Sequence, residues 1–267
     1  MKLSSAVVGF AAPPTEALVD ARWLMAFSAG LGETAFPHPL FPVCYEWPAT
    51  HELRERSGLQ RFNAQLVHAQ HDMVIHRPPR AGDKLSIAAQ VVAARSRKPG
   101  AYVVFRLEAR DAARTPVSTS DFGVLYRGVA LEGGERGAAL EDPPAHSANL
   151  AKTASIEIAA TAAHVYTECA RIWNPIHTDP DYARAAGLPG IILHGTATLA
   201  LSISRVLNLF RLTPASVQRV RCRFSGMVLM PSTLAVFAAL AGKCVQFETR
   251  GEQGKPVLER GRIDLLQ

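Results

Sequence analysis

The sequence predicts an α+β protein built from two copies of one unit, each with helices ahead of an antiparallel run of strands. Three observations carry this: a weak internal repeat, helical segments ahead of each copy, and a linker between them. In the first copy, residues 71–75 alternate polar and apolar side chains, and residues 77–83 break the run with two prolines and a glycine. Strands follow over residues 84–93 and 102–109 and again up to Tyr126, with polar turns at 95–100 and 111–116. In the second copy the order recurs as a strand over Val217–Phe224, a break at Pro231, strands at 233–240 and 245–249, a turn at 250–254 and a closing strand through Val257. Lys255-Pro256-Val257 echoes Thr115-Pro116-Val117. The offset is 149 residues from Leu85 to Leu234 and 140 from Pro116 to Pro256, so the copies differ by nine residues, placed most easily in the 95–100 loop.

Helical segments are expected at residues 18–29 and 43–56 in the first half and at 160–172 and 195–210 in the second. The last carries Leu199, Ile203, Val206 and Leu207 on one apolar face. Residues 132–149, rich in Gly, Ala, Pro and charge, have linker composition. The expected organisation is a first half over residues 1–131, this linker, and a second half over residues 150–267.

A chain of 267 residues with 48% hydrophobic and 19% charged content is globular rather than disordered or fibrous. Its apolar runs fall far short of the ~18–20 residues that cross a bilayer, so no membrane partner is expected. The N-terminal segment turns acidic at Glu16 and Asp20 and lacks a secretory core, which makes the cytoplasm the expected location. Cys44, Cys169, Cys222 and Cys244 stand apart from one another and from zinc-finger histidines, arguing against a disulfide framework or structural zinc. His68, His71 and His76 would divide between the two faces of a strand, with His71 opposite the others, so no metal site is expected there. The net charge is +6, and 23 of the 29 basic residues are Arg, which suits a phosphate-bearing ligand. The basic residues are dispersed and no nucleic-acid-binding motif accompanies them, so nucleic acid is not the expected partner.

The chemistry concentrates in Tyr166-Thr-Glu-Cys-Ala-Arg-Ile-Trp-Asn174-Pro175-Ile176-His177-Thr178-Asp179-Pro180, followed by Ala185-Ala186-Gly187 and Ile191-Ile192-Leu193-His194-Gly195. Asn174-Pro175 stops the preceding helix, because proline disfavours helical backbone in the residue before it, and this leaves His177 in a turn. Asp179 can cap a short helix that starts at Pro180, and Gly187 can end it in the left-handed conformation. His194-Gly195 opens the long apolar helix, whose free N–H groups and positive dipole end form a ready oxyanion site.

Asn-Pro-Ile-His-Thr-Asp-Pro followed at this distance by Ile-Leu-His-Gly resembles the hydratase 2 motif of the MaoC-like (R)-specific enoyl-CoA hydratases and 3-hydroxyacyl-thioester dehydratases. The resemblance implies a double hot-dog, two copies of a long helix wrapped by an antiparallel sheet, with the active motif in the second copy. It implies reversible hydration of a 2-enoyl-CoA, or its acyl-carrier-protein equivalent, to the (R)-3-hydroxyacyl thioester by a homodimer. No metal or redox cofactor is implied, since the thioester carrier comes with the substrate. By position, His177 is the catalytic histidine, Asn174 positions the site and Gly195 N–H is the oxyanion donor. The family's aspartate, two residues before Asn174, is Ile172 here, and the customary glycine before it is Arg171. Candidate acids in its stead are Glu168, Tyr166, Asp179 and, on the first-half helix, Glu46, where related carrier-protein dehydratases keep an acidic residue. Two other outcomes stay open: a different reaction on a thioester or polyketide-like substrate, or thioester binding without turnover. His194 fixes the turn into the helix and borders the substrate. Arg219, Arg221 and Arg223 alternate along one strand, so they share a face that either contacts the phosphates of coenzyme A or meets solvent.

Overall fold

The computed structural model describes residues 1–266. The first half comprises β1 (Lys2–Ser4), β2 (Ala11–Leu18), α1 (Ala21–Gly30), α2 (Pro42–Arg56), β3 (Leu66–Ile75), β4 (Lys84–Arg97), β5 (Gly100–Arg110), β6 (Pro116–Arg127) and β7 (Ala130–Glu132). The second comprises β8 (Lys152–Ile158), α3 (Ala162–Ala170), α4 (Pro180–Ala185), α5 (Gly195–Phe210), β9 (Val217–Phe224), β10 (Ser232–Ala241), β11 (Cys244–Arg250) and β12 (Pro256–Leu265). Ten strands form one antiparallel sheet in the order β2-β4-β5-β6-β3-β9-β12-β11-β10-β8. Each half contributes five strands in the same relative order, and the halves meet where β3 pairs with β9, His71 opposite Cys222. β1 and β7 form a small parallel pair apart from it.

Alternation along the strands gives the sheet one apolar face, and each half packs a helix against it. In α5 the residues Leu199, Ala200, Ile203 and Val206 are fully buried, each large side chain contributing ~1.5–3 kcal/mol by leaving water. In α2, Val43, Tyr45, Ala49 and Leu53 do the same. Buried residues of both halves belong to one continuous core, so the two hot-dogs make a single body. No helix among the described residues is long and apolar enough to cross a membrane.

Three expectations need correction. The two edge strands, β2 and β8, have no counterpart in the sequence reading: β2 carries Pro13 and Pro14, which an edge strand tolerates at an irregularity, here between Ala12 and Thr15. The repeat's extra residues do not lie in a loop. β4 and β5 span 14 and 11 residues against 10 and 7 in β10 and β11, while both hairpins close over two-residue turns. The longer arms carry the connection between the halves: Ala94 bridges to Arg136, and Leu140 packs beside Ala93, Tyr102 and Val104. Beyond it, the Glu141 carbonyl accepts from the Gln70 amide, the Pro143 carbonyl from Arg260, and Gln246 holds Ser147. Residues of linker composition thus lie as a strap against the sheet, with several of its backbone polar groups bonded to strand residues. Finally, β12 runs on to Leu265, well past Val257.

Candidate active site

The segment between β8 and α5 builds the site. α3 ends earlier than Asn174-Pro175 alone would end it, because Arg171 takes a left-handed φ of 57°, and Ile172 N–H turns back to the Thr167 carbonyl at 3.1 Å. This is the place where the resembled family carries glycine, and a side chain there costs ~1–2 kcal/mol. The Arg171 guanidinium lies 4.3 Å over the Trp23 ring and binds Asp20 at 3.0 Å, joining α3 to α1. Asn174 then caps a single 3-10 turn, Pro175–His177, its side chain accepting from Ile176 N–H. Asp179 caps α4 by accepting from Asp181 and Tyr182 N–H, and Gly187 follows its end at φ 81°.

His177 Nδ1 lies 2.8 Å from the Ile192 carbonyl. A carbonyl only accepts, so Nδ1 carries the proton and Nε2 presents a free lone pair. The His194 ring stacks on His177 with centroids 3.7 Å apart, and its Nε2 is 3.4 Å from Thr167 Oγ1. Burial holds His177 down at about 4, below the usual 6.5, against the opposing pull of the Ile192 carbonyl. Burial first, then the neighbouring His177, holds His194 well below the usual value too. Both imidazoles are neutral at physiological pH, and His194 directly precedes Gly195, the first residue of α5.

The acid candidates separate. Tyr166 is buried and packs 5.0 Å from the His194 ring, its hydroxyl pushed well up by burial. Glu168 does not reach the Ile172 position: it is exposed, because α3 turns Tyr166 and Thr167 inward. Asp179 is occupied as a helix cap. Glu46 is fully buried on α2, where Ser118 and Ser120 hydroxyls donate to its Oε1 at 3.2 and 2.7 Å. Burial pushes its carboxyl up to about 7 despite those two bonds. Ile172 itself is buried in the core.

The strand arginines are not brought to the histidines. Val220 and Cys222 of β9 point into the core, and the arginines point the other way. Each has a carboxylate partner: Arg219 forms a two-pronged pair with Asp72 at 2.8 and 2.7 Å, Arg221 binds Asp264 at 2.9 Å, and Arg223 lies 3.5 Å from Asp142 on the strap. Their charge is met from within the chain.

The sheet supplies side chains that sequence reasoning did not place at the site. A Cβ at Gly195 would lie 3.2 Å from Phe224 Cε1, so the start of α5 rests against that ring. The His68 ring is 4.4 Å from Phe224, and 5.5 Å from the His71 ring. His68 and His71 therefore share a face, contrary to strict alternation: β3 shifts register between His68 and Gln70, and a bulge adds one residue to the count. His76 is exposed and bonds Thr119. Among the described residues no group of three His, Cys, Asp or Glu is placed to hold a metal ion.

Residues 143–260 match the family model of the MaoC like domain, and residues 8–119 match that of the FAS1-like, dehydratase domain region. A peroxisomal multifunctional enzyme type 2 of Drosophila melanogaster is 40% identical over 94 residues, 34% of this chain and 16% of that enzyme. A peroxisomal enoyl-CoA hydratase 2 of Arabidopsis thaliana is 31% identical over 94 residues, 35% of this chain and 30% of that enzyme. The chain thus spans less than a third of the length of these curated relatives. The crystal structure of a MaoC-like dehydratase from Phytophthora capsici shares the fold, with a TM-score of 0.82 at 20% identity over 96% of both chains.

Proposed function

Because this chain is a MaoC-like double hot-dog protein, we propose that it catalyses the reversible addition of water to a 2-enoyl thioester, with His177 as the proton carrier. The observation that supports this most is the Nδ1–H bond to the Ile192 carbonyl, which leaves Nε2 of a neutral, largely buried imidazole as a base. In the hydration direction, Nε2 takes a proton from water as its oxygen bonds to C3. The electron pair of the double bond moves through C2 to the thioester oxygen, and free N–H groups at the start of α5, Gly195 first, stabilise the enolate. The Nε2–H then returns its proton to C2, so one water has been added and no further acid is required. A histidine whose charged form is disfavoured by burial gives its proton up readily, which suits a single group serving both steps. Ile172, in place of the family's aspartate, is the departure that this one-residue route accommodates. The acyl group is carried on coenzyme A or an acyl carrier protein, and two copies of the chain associate.

Loss of crotonyl-CoA absorbance on adding the protein tests this. Wild type is expected to consume the enoyl absorbance, and His177→Ala to lose ~100-fold or more in kcat/KM, the usual worth of a positioned acid–base group. Equal background rates from both proteins with crotonyl-CoA and with longer enoyl-CoAs would overturn the reading. Release of free coenzyme A would replace it with thioester hydrolysis.

A further inference from the structure

His71 is completely buried, and neither of its ring nitrogens has a hydrogen-bond partner. An unpaired buried polar group destabilises a fold, so a chain that retains one has a reason outside its own packing. The surroundings of His71 on the inner face of β3 and its neighbours are mostly apolar: the Phe122 ring at 4.8 Å, Met73 beside it on the same strand and Cys222 opposite on β9. The way in is marked by His68, whose half-buried ring leans on Phe224, which in turn covers Gly195. A continuous line of side chains therefore runs from the start of α5, where the thioester would be held, into the first half. Deeper on that inner face, Glu46 Oε2 is also buried without a partner.

We propose that His71, with His68 at its approach, binds an uncharged oxygen substituent, a hydroxyl or keto group, on the acyl chain of the thioester held at His177. The proposal rests on the thioester reading above. A neutral imidazole offers one N–H and one lone pair. A hydroxyl can use either and a ketone the N–H, whereas a hydrocarbon chain leaves both unpaired. A carboxylate would bring a charge against Phe122, Met73 and Cys222 at a cost that none of them offsets.

The test reads binding, so that it does not depend on turnover. Calorimetric titration of wild type, His71→Leu and His71→Phe would use decanoyl-CoA, its monohydroxy and mono-oxo derivatives with the oxygen at successive carbons, and the ω-carboxylate. At least one hydroxy or oxo chain is expected to bind wild type about tenfold or more tightly than decanoyl-CoA. In the two variants that ratio falls to near one while decanoyl-CoA binding stays within about twofold, and whichever variant folds suffices. A ratio near one throughout in wild type, a preference retained in the variants, or preference for the carboxylate would each overturn the proposal while leaving the thioester reading intact. Failure of every acyl-CoA to bind would overturn both.

Discussion

The two halves share a strand plan and differ in what they bury beneath it. One turn into α2 the first half places Glu46, and the facing strand β6 meets it with Ser118 and Ser120. One turn into α5 the second half places Leu199, and β12 turns Leu258 and Ile263 into the core. The connections from edge strand to helix differ as well. Between β2 and α2 the chain packs Phe27, His38 and Phe41 inward, and His38 Nε2, 3.3 Å from Ser204 Oγ, braces α5. Between β8 and α5 it keeps His177 largely but not fully buried, stacked over His194. A helix wrapped by a sheet is stable with either interior, so the repeat sets the frame and the stacked pair His177 and His194 belongs to the segment between β8 and α5.

Two buried groups, one in each half, titrate in opposite directions over a similar span, Glu46 upward and His177 downward. The folded Glu46 carboxyl stands at about 7 against an ordinary 4.5, so the protonated form is the one folding favours. The stability it contributes is full below pH 4.5, declines as pH rises toward 7, and is constant thereafter; the span corresponds to about 3 kcal/mol at 1.36 kcal/mol per unit. Glu46→Gln keeps the shape and removes the titration. The difference in urea unfolding free energy between the two proteins is expected to shift by that amount in favour of the glutamine variant between pH 4.5 and 8. A difference that stays constant with pH would mean the carboxyl is not held as the geometry indicates.

His177 titrates the other way. Burial lowers it to about 4, so its neutral form is favoured, and the stability associated with it is present above 6.5 and lost as pH falls toward 4. For catalysis, the acid limb of kcat/KM is expected near pH 4, with a flat profile from about pH 5.5 upward, where an ordinary histidine would already have cost activity below 6.5. A limb at 6.5 in the pH–rate profile would assign the proton to a more exposed group.

Much of the frame was legible because it depends on local chemistry. The spacing of Leu199, Ile203 and Val206, the Asp179 cap before Pro180 and the left-handed Gly187 each depend on side chains a few residues apart. His177 was legible through its motif. What escaped depends on groups distant in sequence. The left-handed Arg171 replaces a glycine signal, and the bulge between His68 and Gln70 leaves no residue signature, yet it turns His68 and His71 onto one face. Phe224 meets Gly195 only after β9 has been placed against β3. The paired fates of the strand arginines likewise depended on acids as remote as Asp72 and Asp142.

Those arginines give the mildest test of the comparison, at the seam itself. Arg219 of the second half and Asp72 of the first form a two-pronged pair on the outer face, with the Asp72 side chain largely covered and the Arg219 side chain 39% exposed. The partial exposure screens the pair, so Arg219→Ala is expected to cost about 1 kcal/mol or less in unfolding free energy. Because the side chain points away from the core that Val220 and Cys222 enter, KM for an enoyl-CoA should change less than about twofold, whereas loss of a phosphate-gripping arginine would raise it by tenfold or more. A large rise in KM with stability unchanged would move coenzyme A onto the outer face and make the seam between the halves a binding surface; an unchanged KM leaves the pair as a clamp joining two copies of one fold.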